Sequence, residues 1–222
     1  MTGLLANCFT AMLFSQGYRM EIGAMGGTSF YSGDAGHELF RNMQPAYSLL
    51  LRYNLSRRFT VKADVGCCGI EGSTAGKENT FLHGETVDFK RRLTDATAAI
   101  EFNFYEFGAP EYVPGASRIT PYVVAGAGCT LYQTDRLQGA VCLPVGIGLK
   151  YKFANRFNLG VDLTYRMTLA DDLDYAEGKS FQLDDPYGVE SSWNANQDSY
   201  FVLKFYLSYD FMYIGSVCYK KK

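Results

Sequence analysis

The stretch from Leu143 to Asp174 limits the fold of this chain more than any other, because it alternates with period two through two successive segments. Leu143, Val145, Ile147, Leu149, Tyr151 and Phe153 share one parity, and Pro144, Gly146, Gly148, Lys150 and Lys152 share the other. After a tight turn at Ala154, Asn155 and Arg156 the pattern resumes. Phe157, Leu159, Val161, Leu163, Tyr165 and Met167 face one way, while Asn158, Gly160, Asp162, Thr164 and Arg166 face the other. Such alternation marks a strand with one apolar and one polar face. Strands of soluble sandwiches average about five or six residues. Longer strands of about nine to eleven residues, apolar on one side and charged on the other, suit a tilted barrel that crosses a bilayer.

The remaining segments repeat the theme. Strands are predicted over Tyr18–Ser29, Gln44–Asn54, Phe59–Gly69, Leu93–Phe104, Ile119–Tyr132 and Asp198–Met212, which with the opening pair makes eight. The first places Met20, Ile22 and Ala24 outward and Arg19, Glu21 and Gly23 inward. The Gly-rich fifth strand (Gly126, Gly128) leaves its facing open. The connections run long, short, long, medium, short, short, long, with polar loops over 70–92 and 168–197 and an oversized turn over 105–118. The expected architecture is an all-β, eight-stranded antiparallel transmembrane β-barrel with a filled polar lumen. Closure leaves no unpaired edge in lipid. A soluble barrel with its apolar face inward shows the same alternation, but the charges here are too regular to belong to an outer surface alone.

Aromatic residues make up 15% of the 222, with 17 Tyr and 16 Phe. Tyr18, Tyr53, Phe59, Phe102, Phe104, Tyr151, Phe153, Phe157, Tyr209 and Phe211 all fall at the end that carries the short turns, where a ring can be buried while its hydroxyl stays wet. With the N-terminus periplasmic, that end faces the periplasm. Leu4–Phe14 reads as the apolar core of a signal peptide, although Met1-Thr2-Gly3 lacks the basic start. The domain expectation is therefore a signal peptide over 1–17, a barrel over 18–212 and a short basic tail over 213–222.

The lumen candidates are Glu21, Arg52, Lys62, Asp64, Glu101, Lys150, Asp162, Arg166, Lys204 and Asp210, with both signs in similar number. Charges in so narrow an interior must pair or stay hydrated, so a salt-bridged plug is the first reading and a pore the second. Leu50 is expected as an apolar lumen residue. Only His37 and His83 exist, both in predicted outer loops and away from any nucleophile constellation, so no enzyme is expected. Asp171, Asp172, Asp174, Asp184 and Asp185 lack calcium-loop spacing, and the cysteines lack metal spacing. Cys67, Cys129 and Cys142 read as small outward or rim hydrophobes. A net charge of -2 speaks against nucleic acid. No cofactor and no small-molecule substrate are expected.

Three stretches carry a resemblance. Tyr18-Arg19-Met20-Glu21-Ile22-Gly23 with Tyr31-Ser32-Gly33-Asp34, the run Val145 to Tyr151, and Leu159 to Arg166 followed by Thr168 to Asp174 resemble an outer-membrane barrel family of Bacteroidota that includes PorG, a type IX secretion component. Asp172 stands where that family's pattern has an aromatic, and the ending Cys218-Tyr219-Lys220-Lys221-Lys222 departs from a terminal aromatic. The resemblance implies a non-enzymatic barrel in outer-membrane lipid that ties PorK/PorN-like periplasmic rings to the membrane. Its partner-binding candidates are then the turn residues Arg57, Arg58, Glu106, Glu111, Tyr112, Arg118, Asn155 and Arg156, with the Lys220–Lys222 tail. The rival expectation is a stand-alone structural or adhesive barrel acting through its long outer loops.

Overall fold

The computed structural model describes residues 18–32, 43–73, 88–109, 115–133, 137–168 and 199–213. They form eight strands: β1 Tyr18–Ser32, β2 Gln44–Asn54, β3 Phe59–Ser73, β4 Asp88–Asn103, β5 Ile119–Gln133, β6 Leu137–Lys152, β7 Phe157–Thr168 and β8 Ser199–Tyr213. Each pairs antiparallel with its neighbour in sequence, and β8 returns to β1, from Tyr18↔Tyr213 to Ser32↔Ser199. The result is a closed eight-stranded barrel. Closure matters physically because it gives every wall strand two partners and so removes the sheet edge.

Four connections, β1–β2, β3–β4, β5–β6 and β7–β8, leave from one end, here called the loop end. The other three, the start of β1 and the end of β8 lie at the opposite, turn end. Several strands rise further at the loop end than their apolar pattern indicated. The β3–β4 ladder continues through Ile70↔Arg91 and Glu71↔Lys90 to Ser73↔Asp88, inside the stretch expected to be loop. Likewise β1 runs to Ser32 and β6 starts at Leu137. Above the apolar band neither face of a two-stranded ribbon has to be greasy, so backbone pairing persists after the alternation has gone.

Facing follows parity all the way round. In β2 the burial alternates without a break from Ala46 to Asn54. In β5, left open above, Thr120, Tyr122, Val124, Thr130 and Tyr132 point inward while Ile119, Val123 and Leu131 point outward. The outer face is large and apolar, whereas the interior holds the ionised side chains.

The interior is layered. At the loop end Ala46, Cys68, Ile70, Leu93, Tyr132, Ala140, Tyr200 and Val202 form an apolar cluster. Charged groups occupy the middle, with Leu50 packed among them against Met25 and Tyr206. Two glycines make the middle layer possible. Gly148 lies against the ring of Tyr122, and Gly160 against the ring and hydroxyl of Tyr206; a Cβ at either position would overlap the tyrosine and the neighbouring backbone. At the turn end the β4–β5 connection folds inward, burying Phe107, Ala109 and Ala116. Gly115, just before Ala116, has φ 83, a conformation that disfavours residues carrying a Cβ.

Candidate functional site

The chemistry of this chain is concentrated in the lumen and around the turn-end rim. All ten residues expected in the lumen, Glu21, Arg52, Lys62, Asp64, Glu101, Lys150, Asp162, Arg166, Lys204 and Asp210, lie buried inside the barrel. Parity carries each one inward, and the cross-section is narrow enough for opposite walls to meet.

They form three connected groups. In the first, Arg52 donates from Nη1 to Glu21 at 2.7 Å and from Nε to Glu101 at 3.0 Å. Lys150 also reaches Glu101, at 2.5 Å, and Lys62 bridges Glu101 at 3.9 Å and Asp162. The Arg52 guanidinium lies 4.4 Å from the Tyr206 ring centroid, and the Lys150 ammonium 4.9 Å from that of Tyr122. Those are cation–π distances. In the second group, nearer the loop end, Arg166 pairs with Asp64 at 3.3 Å and with Asp95. Lys204 pairs with Asp64 at 3.4 Å, and the Tyr200 hydroxyl donates to Asp95 at 2.8 Å. The third group, at the turn end, joins Lys152 to Asp210 at 2.5 Å, with the Asn158 amide donating to the same carboxylate at 2.8 Å.

Three buried charges, Asp95, Lys152 and Arg91, were missing from the expected set. Asp95 shares the parity of Thr97 and Glu101, and Lys152 that of Lys150, so alternation alone would have included both. With them the interior holds the carboxylates of Glu21, Asp64, Asp95, Glu101, Asp162 and Asp210. Against these stand the cations Arg52, Lys62, Lys150, Lys152, Arg166 and Lys204, with Arg91 nearer the loop end. Near balance of sign is what a charged interior needs, because an uncompensated buried ion is expensive. A cavity of about 10 Å³ beside Asp64, Asp95, Arg166 and Lys204 has room for one water.

The cysteines divide by wall face. Cys67 and Cys129 are exposed on the outside, and all four described cysteines are free thiols. Cys142, expected outward, is instead buried in the lumen. It shares the parity of Pro144 and Gly146, at a height where the interior is itself apolar. The Cys68 thiol donates to Asp95 at 3.3 Å.

The turn end closes the barrel. Phe107 lies 5.3 Å from the Lys152 ammonium and 5.9 Å from that of Lys150, measured to the ring centroid. Its connection is tied down by Ser117 N donating to Glu106 O at 2.7 Å and Gly108 N to Ser117 O at 3.1 Å. What sequence suggested as an outward working surface is thus in part a stopper. Of the turn candidates, Arg57 pairs with Glu106 at 2.8 Å, both partly exposed. Arg58, Asn155 and Arg156 are exposed, and Arg118 is half-buried. Glu111, Tyr112 and the Lys220–Lys222 tail lie outside the described residues, as do the signal segment, His37, His83 and the acidic run 171–185.

An aromatic ring surrounds this end. Phe59 packs on Phe102 at 5.1 Å, Phe102 on Phe104 at 5.7 Å, Phe153 on Phe157 at 5.9 Å and Phe157 on Tyr209 at 5.2 Å. Arginines are set into it. Arg156 donates from Nε to the Tyr18 hydroxyl at 3.1 Å and from Nη1 to that of Tyr209 at 3.0 Å. These bonds, that to Tyr209 foremost, raise the guanidinium pKa further, so it stays cationic at any ordinary pH. Arg19, expected inward, instead donates to the Tyr53 hydroxyl at 3.3 Å in an exposed position.

Comparison with other proteins places this geometry. The profile described as "Domain of unknown function (DUF6089)" matches residues 4–221. Comparison with curated proteins finds no match. Among solved structures, neisserial surface protein A is 12% identical with a TM-score of 0.52, covering 86% of this chain and 97% of that one. OprG of Pseudomonas aeruginosa is 13% identical with a TM-score of 0.48, covering 89% and 99%. The attachment invasion locus protein Ail of Yersinia pestis is 14% identical with a TM-score of 0.45, covering 88% and 100%. At such identity the first likeness speaks for the fold, an eight-stranded barrel of the outer-membrane type.

Proposed function

The chain belongs to the DUF6089 family, and we propose that it works as an integral barrel of the bacterial outer membrane that holds periplasmic partners to the bilayer. One observation carries the membrane reading. Around the circumference Leu49 is 70% exposed, Phe205 63% and Ile147 59%, while Arg52, Glu101 and Asp162 inside are fully buried. A contiguous apolar surface of that extent is rare on soluble monomers and suits hydrocarbon. The described interior carboxylates are engaged by cations, so the barrel serves as a rigid body. The outer-membrane barrel folds with which it shares its shape support this location.

Within that setting we read the chain as the barrel component of the type IX secretion system, anchoring PorK/PorN-like rings. The support is the resemblance of the Val145–Tyr151 and Leu159–Arg166 segments to that family, together with the exposed turn-end groups Arg58, Asn155 and the Arg57–Glu106 pair. Deleting 112–117 would test the contact poorly, since Ala116 and Ser117 hold the stopper in place. Charge reversal at Arg57 and Arg58 is cleaner. In a pull-down from detergent-solubilised membranes, the reversed protein should lose periplasmic lipoproteins that the parent retains, while still migrating as a folded, heat-modifiable barrel. Equal recovery of those lipoproteins sinks the anchoring role.

The rival reading, a barrel acting through its outer loops, draws on the β3–β4 ribbon that rises to Ser73↔Asp88. Loss of a ligand only when the loop over 74–87 is trimmed would favour it.

A further inference from the structure

We propose that Arg156, clamped between Tyr18 and Tyr209, forms a binding site for a phosphate group at the turn-end rim. The inference rests on the membrane-spanning reading above but not on the secretion assignment. The guanidinium is positioned rather than free: Nε and Nη1 are spent on the two phenol oxygens, and the plane lies 5.5 Å from the Tyr18 ring centroid. That leaves the two Nη2 hydrogens, the second Nη1 hydrogen and the Tyr209 hydroxyl hydrogen unused by the clamp's own bonds. Every one of them is a donor.

Among the described residues no carboxylate pairs with Arg156. Among the described acids at this end, Glu106 is committed to Arg57 and Asp210 to Lys152. A donor-only cluster with a permanent positive charge calls for an acceptor-only anion, and a guanidinium edge matches two phosphate oxygens. Position narrows the choice further. The clamp belongs to the aromatic ring formed with Phe157 and Phe153, the level at which amphipathic rings meet lipid headgroups. Arg19 on Tyr53, across β1, repeats the device with a single tyrosine. By contrast Arg58 is exposed and, among the described residues, is not clamped by tyrosine hydroxyls, so it is the same charge without the built site.

The ligand chemistry is a phosphate ester or free phosphate, carried by a phospholipid headgroup or by solution. The test is native mass spectrometry of the full chain in detergent with phosphatidylglycerol against phosphate-free diacylglycerol, folding being checked separately by heat-modifiable migration. Wild-type protein should retain phosphatidylglycerol, and R156Q should lose retention about tenfold, the size of one charge-assisted hydrogen bond. Y209F should fall between the two, and R58Q should match wild type. Added inorganic phosphate separates the sources: displacement of lipid identifies a free-anion site, and retention identifies the headgroup. Equal adducts on wild type and R156Q, or an equal loss in R58Q, overturns the proposal. A barrel that folds in detergent but fails to enter vesicles would instead count against the membrane reading.

Discussion

The Nε of Arg52 stands 3.0 Å from Oε1 of Glu101, with neither side chain reachable by solvent. Arg52 comes from β2 and Glu101 from β4, so the pair crosses the lumen instead of running along one hairpin. Removing one partner strands the other in a low-dielectric interior. Arg52→Met takes away the cation paired with Glu21, while Glu101 keeps Lys150 and Lys62, and should lower unfolding free energy by about 3–5 kcal/mol. The paired change R52M/E21Q, which neutralises the carboxylate left unpaired, should recover part of that loss. Urea unfolding in detergent micelles followed by gel shift reads both. A single-variant cost below about 1 kcal/mol would mean that the pair is hydrated and not buried.

Leu49 separates lipid from water as the outer solvent. In water an exposed Leu→Arg change on a wall is close to neutral, within about 0.5 kcal/mol. In a bilayer it costs about 2–4 kcal/mol near the midplane. Refolding of L49R into phospholipid vesicles should therefore be weakened by that larger amount. A neutral result would place the outer face in water.

Gly160→Ala tests the seat of Tyr206. The added methyl meets both the ring and the neighbouring backbone, so the tyrosine cannot keep its place under the Arg52 guanidinium. A loss of about 1–3 kcal/mol is expected from overpacking. Y206F in the same background should give little relief, because the clash involves ring carbon and backbone as well as the hydroxyl. Full rescue would contradict the packing described.

Phe107→Ala removes the stopper's buried ring. Stability should fall by about 2–4 kcal/mol, as for other buried aromatics cut to alanine. Planar-bilayer recordings should nonetheless stay silent in wild type and variant alike, because the Ile70, Leu93, Tyr132 and Tyr200 layer still fills the far end. Steady ion conductance in the wild type would rule out a filled lumen.

Much of the fold was written in the alternation. The bounds of the Gln44–Asn54 strand are those expected, because charged and apolar residues there contrast at every step. Contrast fails elsewhere for definite reasons. In β5 the inward Gly126 and Gly128 stand beside outward Ala125 and Ala127, so side-chain polarity offers nothing to choose between the faces. Cys142 was misassigned because the loop-end interior is apolar, and an apolar run then fits either wall face. Asp95 was overlooked although its parity was plain. The inward fold of the β4–β5 connection was not legible: its length announced something unusual, but only geometry reveals that Phe107 turns toward Lys150 and Lys152. The Arg156 clamp joins β1, β8 and the β6–β7 turn, three segments distant in the chain, and no local pattern links them.

The seam between β1 and β8 carries a consequence for biosynthesis. The earliest strand finds half of its hydrogen-bond partners only in the last one, so the cylinder cannot be sealed while the ribosome is still adding residues. Contacts between such distant parts of the sequence form slowly. Until Ser199–Tyr213 arrives, the sheet keeps an open edge that can pair with other chains. Amino-acid changes that weaken this final zippering should therefore show first as degraded chain in the cell, before any defect appears in the finished barrel.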